Sequence, residues 1–314
     1  MAKHSRFNLS IPESGYFSYY WVIYLENQPF MKRSVILCLG IFATTMASAQ
    51  LVQIHLGATT TMNATYVLDK GLSEDPRYNS TATYQWAPIG FNFGLDLGRK
   101  FGLSLEAIKS KQGQIYDMID KFKEIKGQRK ISLDYLQLPM LFKFMSGGNG
   151  GARANFNLGP QLSLLTDAVE SIQTKKGVYQ MPDGVDFESI QNELASSDAE
   201  KQFIQQGAEP GTYEVTQDLK PKDLLTKKAN DFKNTEFSIA GAFGLDIDLS
   251  KHLFLTTQIR ATYSLTDMRN GDVIDAIKNG DAATIFAQRA NLLVGMQLGL
   301  HYMLGTTRSH KFKE

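Results

Sequence analysis

The sequence predicts an all-β fold: an eight-stranded antiparallel transmembrane β-barrel with long outer loops and one large loop insertion that carries helices. In Phe237 to Asp248, apolar side chains alternate with small or acidic ones, and only a strand places each set on one face. About eight stretches repeat this pattern, and the connections between them run long, short, long, short, very long, short, long. Outer-membrane barrels combine an apolar outer face, a polar lumen, long outer loops and short periplasmic turns.

Each predicted strand shows an apolar outer row and a polar inner row. The eight strands are predicted near 52–59, 89–97, 101–107, 130–145, 152–165, 237–248, 253–265 and 289–302. Helical apolar spacing interrupts this pattern in three of the long connections, which predicts a short helix at 116–126, another near 186–206 and a third around 273–277.

Composition excludes several other classes of protein. The net charge of +1 argues against a nucleic-acid binder, which usually carries a basic stripe. Cys38 is the only cysteine, so one chain can hold neither a disulfide framework nor a cysteine-based zinc site. The chain has 19 Phe and 13 Tyr, and such aromatic residues suit strands and the girdles at membrane interfaces.

The N-terminal region predicts export. Residues 31–49 begin with a Met-Lys-Arg run, continue with an apolar segment and end in Ala-Ser-Ala, which is the layout of a cleaved signal peptide. Because such peptides start a chain, residues 1–30 are expected to be an artefact of an upstream start or a disordered extension. The barrel is expected at 50–305, with its insertion at 166–233 and a tail at 306–314. The expected location is the outer membrane of a Gram-negative cell.

Two motifs connect the chain to a known family. Asp134 to Pro139 is DYLQLP, and Gly159 to Leu165 is GPQLSLL. With these segments the chain, from about Gln50 to Leu304, resembles the PorT-like outer-membrane β-barrel family of Bacteroidetes-type bacteria. The resemblance implies the barrel fold and, as for some members, an association with protein secretion. It implies no catalytic residues.

The inner rows predict a polar network in the lumen. Charged residues of both signs fall on the inner phase: Asp96, Glu106, Lys143, Arg153, Asp246, Arg260 and Arg289. An eight-stranded barrel is just wide enough to be filled by its own side chains. Acids and bases mixed in such a space are expected to pair and plug it, whereas an excess of one sign would favour an ion path.

His55 and His301 are a further candidate pair, since the first and last strands of a closed barrel are neighbours. Both fall on the inner phase near the periplasmic end. A metal or acid–base role is one interpretation; polar filling of the lumen is favoured because no third ligand is evident. No phosphate-binding loop, nucleophile elbow or zinc-protease motif occurs, so no catalytic residue, metal or cofactor is predicted.

Function is therefore expected in the loops. The favoured hypothesis is a non-enzymatic surface or secretion-associated scaffold that acts through extracellular loops. The alternatives are a narrow channel or transport-accessory barrel and, less favoured, an outer-membrane lipid hydrolase. Expected partners are outer-membrane lipid and a protein bound by the insertion 166–233, with no nucleic acid. In that insertion Phe187, Ile190, Leu194 and Phe203 are spaced for one helical face, which packs either on the barrel mouth or on a partner.

Overall fold

A computed structural model describes residues 52–146, 151–279 and 286–304 of the chain. The segments predicted at 1–30, 31–49 and 306–314 lie outside the described residues. Within the described part, no helix has both the length and the apolar character needed to cross a membrane.

The elements follow one another as strands with a few short helices. In chain order they are β1 (Val52–Asp69), α1 (Lys70–Ser73), β2 (Tyr78–Thr81), β3 (Thr83–Leu97), β4 (Phe101–Ile119), β5 (Ile125–Met145), β6 (Ala152–Thr174), β7 (Gly177–Gln180), α2 (Phe187–Leu194), α3 (Asp198–Lys201), β8 (Ile204–Gln206), β9 (Thr212–Val215), β10 (Lys222–Thr226), β11 (Thr235–Asp248), β12 (Leu253–Ser264), α4 (Gly271–Asn279) and β13 (Arg289–Leu304).

Eight of these strands close a ring. Each of β1, β3, β4, β5, β6, β11, β12 and β13 pairs antiparallel with the next, and β13 pairs back with β1 from Ile54–Leu304 to Asp69–Arg289. Closure leaves no open sheet edge in the ring, which is what a sheet in lipid requires. The predicted eight-stranded antiparallel barrel is confirmed.

The two faces of the ring differ as the alternation predicts. On β11 the outward Phe237, Phe243 and Leu245 are 56%, 63% and 43% exposed, whereas the inward Ser238 and Ala240 are buried. The same outward rows on the other ring strands form an apolar belt that faces lipid. The short connections lie on the same side of the barrel as the start of β1 and the end of β13. This side is therefore the periplasmic end, and the long connections form the outer end.

The helix predicted at 116–126 is wrong. Strand β4 continues to Ile119 and β5 starts at Ile125, with Tyr116 paired to Arg129 and Met118 to Gly127. The apolar residues there lie on both faces of a long hairpin, and this mixture imitates helical spacing. Asp120 holds the turn, because its carboxylate accepts hydrogen bonds from the backbone N–H groups of Phe122 and Glu124.

The predicted insertion is a folded structure that starts later than expected, since β6 continues to Thr174. Beyond it, β7, β9 and β8 form a small sheet joined to α2 and α3; we call residues 177–215 the outer cover. The single helix predicted near 186–206 is two helices followed by β8. Ile190 and Leu194 are buried on one face of α2, but Phe203 lies beyond α3 rather than on that face. Helix α4 confirms the spacing at 273–277.

Candidate functional site: the polar lumen and its outer cover

Three rings fill the periplasmic end of the lumen. His301 of β13 stacks on Phe254 of β12 with ring centroids 4.7 Å apart, and His55 of β1 meets His301 edge-on at 5.2 Å. Glycines on the facing strands make room for them. A Cβ at Gly94 would lie 2.0 Å from Cε1 of His55, and one at Gly57 would lie 2.3 Å from Nδ1 of His301. The two imidazoles are thus packed into slots of the wall.

Beside the rings, with Nζ of Lys143 5.6 Å from the centroid of Phe254, a lysine and an aspartate share a buried contact. Nζ of Lys143 on β5 lies 2.7 Å from Oδ2 of Asp246 on β11. The other carboxylate oxygen of Asp246 accepts hydrogen bonds from Thr256 at 2.7 Å and Asn155 at 2.9 Å. Neutralisation by one cation and donation by two neutral groups satisfy this buried charge.

A second ion pair crosses the middle of the lumen. Nη1 of Arg260 on β12 lies 2.6 Å from Oε2 of Glu106 on β4. These strands stand opposite each other, with three ring strands between them on either side. Gln297 donates to the same carboxylate at 3.2 Å, and Gln161 accepts from Nη2 of Arg260 at 3.2 Å. Side chains from four strands therefore meet across the full width of the barrel.

All seven charged residues predicted for the lumen are buried. Four of them form the two pairs just described. Arg153 has Nη2 3.8 Å from Oδ1 of Asp248, and Asp96 has Oδ1 3.7 Å from Nε2 of His55. Arg289 lies at the outer end, away from the other six. A cavity of about 20 Å³, bordered by the histidines, Lys143 and Glu106, has room for roughly one water molecule.

A chain of buried ion pairs continues at the outer end of the barrel. Its members alternate in sign: Asp75, Arg77, Glu193, Arg129, Glu170, Arg289 and Asp69. We call this set the outer ion-pair chain. It begins in the loop before β2, passes through α2 of the cover, and ends on the upper parts of β5, β6, β13 and β1.

Glu193 is the residue through which the cover joins the outer ion-pair chain. Its Oε2 lies 3.0 Å from Nη1 of Arg77 and its Oε1 lies 2.9 Å from Nη1 of Arg129. Burial would lower the pKa of Arg77, but Glu193 and the other neighbours hold that pKa well above its ordinary value. Burial raises the pKa of the adjacent Tyr78 to about 12, and the Arg77 guanidinium opposes this shift. Glu193 of the cover is thus held by two guanidinium groups in a desolvated site.

Apolar packing surrounds these charges. Tyr179 of β7 stacks on Tyr213 of β9 with centroids 5.3 Å apart, and both rings are fully buried. Ile190 and Leu194 of α2 belong to the same buried cluster as Tyr116 of β4 and Ile131 of β5. Since that cluster joins the cover to the extended strands, the insertion packs on the barrel mouth. Ile190 and Leu194, on the apolar face of α2, therefore face the barrel mouth.

Sequence comparison agrees with this architecture. The family model for an outer membrane protein beta-barrel domain matches residues 48–270. The chain belongs to this family. Membership indicates the outer membrane as its location, and it leaves the narrower PorT-like relationship as a resemblance. Among curated proteins, none matches the chain in sequence.

Three solved structures align with most of the chain at low identity and low TM-score. The protein OprG of Pseudomonas aeruginosa is 14% identical, with a TM-score of 0.35, over 81% of this chain and 96% of that one. Ail of Yersinia pestis, solved in complex with the heparin analogue sucrose octasulfate, is 9% identical with a TM-score of 0.34, over 80% and 99%. Neisserial surface protein A is 6% identical with a TM-score of 0.34, over 80% and 98%. At these values the likenesses transfer no ligand or activity to this barrel.

Sequence reasoning missed most of the outer ion-pair chain. Arg129 and Asp69 have the inner phase of β5 and β1, so longer predicted strands would have included them. Glu170 has the opposite parity to the inner residues below it, because a bulge shifts the pairing between Tyr135–Leu165 and Asp134–Asp167. Arg77 and Glu193 lie outside the ring strands, where strand phase carries no information.

The described residues offer no evident site for a metal. In the parts of the chain that the structure covers, no three His, Cys, Asp or Glu side chains are grouped as ligands for an ion. His55 and His301 face each other near the periplasmic end, and Oδ1 of Asp96 lies 3.7 Å from Nε2 of His55. Their geometry is that of packed rings against Phe254.

Proposed function

We propose that this outer-membrane barrel is a non-enzymatic scaffold that acts at the cell surface through its outer cover. The observation that carries the proposal is the Arg260–Glu106 pair, which joins opposite walls of the lumen at 2.6 Å. The ring cluster below this contact and the cover above it add two further levels of side-chain packing, which supports a lumen without a passage. A barrel without a passage offers its outer surface and its loops for binding.

The alternative of a narrow channel is less well supported. An aqueous path needs a continuous gap, but Asn157 of β6 donates to Gln258 of β12 at 2.8 Å, and Gln258 donates on to Gln297 of β13. This bridge lies beside the Arg260–Glu106 pair. Opening a path would require several buried hydrogen bonds and an ion pair to break together.

The lipid-hydrolase alternative is least supported. Such an enzyme needs a serine, a histidine and an acid together near the outer rim. The histidines of the described residues, His55, His252 and His301, all lie at the periplasmic end. We therefore propose binding rather than catalysis, with secretion association as the resemblance implies and export through the signal peptide predicted at 31–49.

Replacing residues 177–217 with a short Gly-Ser linker tests the proposal. The ends are close, because the backbone N–H of Lys176 donates to Oδ1 of Asp218 at 2.9 Å. No ring strand is removed, and Arg77 and Arg129 become accessible to water once the cover is gone. We expect the variant to insert in the outer membrane and to keep its shift in gel mobility on heating.

The functional measurement is cross-linking on intact cells. A photoreactive residue at exposed Glu188 of the cover is expected to give a discrete protein adduct, and the same residue at Lys251 in a periplasmic turn serves as control. The adduct should be absent when the cover is replaced. No adduct at any exposed position of the cover, or single-channel conductance from the intact protein, would contradict the scaffold function.

A further inference from the structure

Two lysines continue the lipid-facing row of β4. Leu103, Leu105 and Ala107 point outward on this strand, and Lys109 and Lys111 follow in the same phase with exposed side chains. Residues two apart on a strand share a face. The row therefore changes from apolar to basic without leaving the outer surface of the barrel.

Lys109 lies at a level where its neighbours are still apolar. It pairs with Leu136 of β5, an outward residue that is 36% exposed. On the other side the β3–β4 pairing ends at Gly90–Ile108, so the next residue on β3 is Ile89, which is 63% exposed. A lysine between two outward apolar residues belongs to the upper margin of the belt.

An aromatic anchor marks the same margin. Trp86 of β3 is 69% exposed on the outer surface, and its indole N–H donates to Oγ1 of Thr60 at 2.7 Å. Tryptophan concentrates at the level of lipid headgroups, where the ring is in an amphipathic environment. The fixed indole and the two lysines thus face the same interfacial layer.

Polar groups at the headgroup level favour these two charges. A lysine on the lipid face is destabilising near the midplane and is tolerated near the interface, where its stem lies along apolar surface and its ammonium reaches polar groups. Lys111 has Asp134 beside it, but Nζ to Oδ2 is 3.9 Å and the lysine side chain is 62% exposed. Such a long, exposed pair contributes little, which leaves the ammonium accessible to a headgroup.

We propose that Lys109 and Lys111 bind the phosphate of a phosphorylated glycolipid in the outer leaflet. Two adjacent cations match a phosphate in charge, and the apolar residues on both sides match acyl chains below it. Free phosphate matches the charge of the two lysines but has no acyl chain to contact the apolar residues. The asymmetry supports a local site, because the outward row of β1 carries no charged residue as far as Leu68.

Native mass spectrometry of the detergent-purified full chain tests the site with lipid A as probe. The double variant Lys109→Ser/Lys111→Ser is compared with the unmodified protein. Lys130→Ser is the matched control, because this lysine faces outward on β5 further from the belt. We expect lipid A to bind about twenty-five-fold more weakly to the double variant, on the order of fivefold for each lysine lost near an anionic surface. Binding of lipid A to the Lys130 control should be unchanged.

Two further arms identify the ligand. Dephosphorylated lipid A is expected to bind the unmodified protein as weakly as lipid A binds the double variant, and inorganic phosphate is expected not to compete. The proposal would be overturned if the double variant bound lipid A as tightly as the unmodified protein does. It would also be overturned if Lys130→Ser weakened binding as much as the double variant does. Competition by inorganic phosphate would show a free-phosphate site and contradict the lipid assignment. Heat-dependent gel mobility checks that each variant is folded.

Discussion

Glu193→Ala removes the carboxylate that two buried guanidinium groups share. Arg77 lies 3.0 Å and Arg129 lies 2.9 Å from its two oxygens. Taking one partner from a buried ion pair costs about 3–5 kcal/mol. Arg77 retains Asp75 and Arg129 retains Glu170, so we expect the lower end of that range, about 3 kcal/mol. The loss of stability should be confined to the outer cover, because Glu193 is the member of the outer ion-pair chain that lies on α2.

Hydrogen exchange measured by mass spectrometry separates this local effect from unfolding of the barrel. About 3 kcal/mol corresponds to roughly a hundredfold faster exchange of the amides in 177–215 if they open as one unit. Amides of the ring strands within the apolar belt should exchange as before. Glu188→Ala, an exposed residue on the same helix, is the control and should change neither region. Unaltered exchange in the cover of the Glu193 variant would refute the anchoring function of the ion-pair chain.

Three other variants examine the lipid face, the outer core and the lumen. Leu245→Arg, at an outward position of β11, should lower the free energy of unfolding in vesicles by about 2–4 kcal/mol if it lies near the midplane; an unchanged denaturant midpoint would place this face outside lipid. Tyr78 ionises at about pH 12 when folded and at about pH 10 when unfolded. Tyr78 should therefore contribute a fall in stability of about 1.4 kcal/mol for each pH unit between those values. Tyr78→Phe should make the fall less steep by that amount, while buried Tyr213, whose pKa burial also raises, keeps its own contribution; exposed Tyr84→Phe should leave the slope unchanged. Gly94→Ala should reduce refolding yield, because its Cβ would lie 2.0 Å from the His55 ring, and a normal yield would show that the slot is not tight.

The ring could be predicted from the sequence because the alternation of its side chains can be read within each strand alone. Alternation along Phe237 to Asp248 assigns each side chain to lipid or lumen without knowledge of any partner strand. The hairpin at 116–126 could not be predicted in this way. There both faces contact protein, so residues such as Ile115 and Met118 are apolar on opposite sides and the period of two disappears.

In the candidate site, too, the sequence predicts which face a residue occupies but not which residue it contacts. Strand phase assigns Glu106 and Arg260 to the lumen, but their contact depends on the position of β4 opposite β12, which no local pattern contains. Glu170 shows a further limit, since one bulge in β6 reverses its phase. Glu193 reaches the barrel only after the cover has folded, so its function depends on tertiary packing of α2.

Single-channel recording in planar bilayers measures whether ions cross the barrel, whose lumen the Arg260–Glu106 pair is proposed to close. The intact protein is predicted to show no conductance steps at neutral pH. The Glu193→Ala variant should also be silent, because the Arg260–Glu106 pair and the His55–Phe254–His301 cluster remain below the loosened cover. Discrete openings from correctly inserted intact protein would contradict the closed lumen and favour the channel alternative.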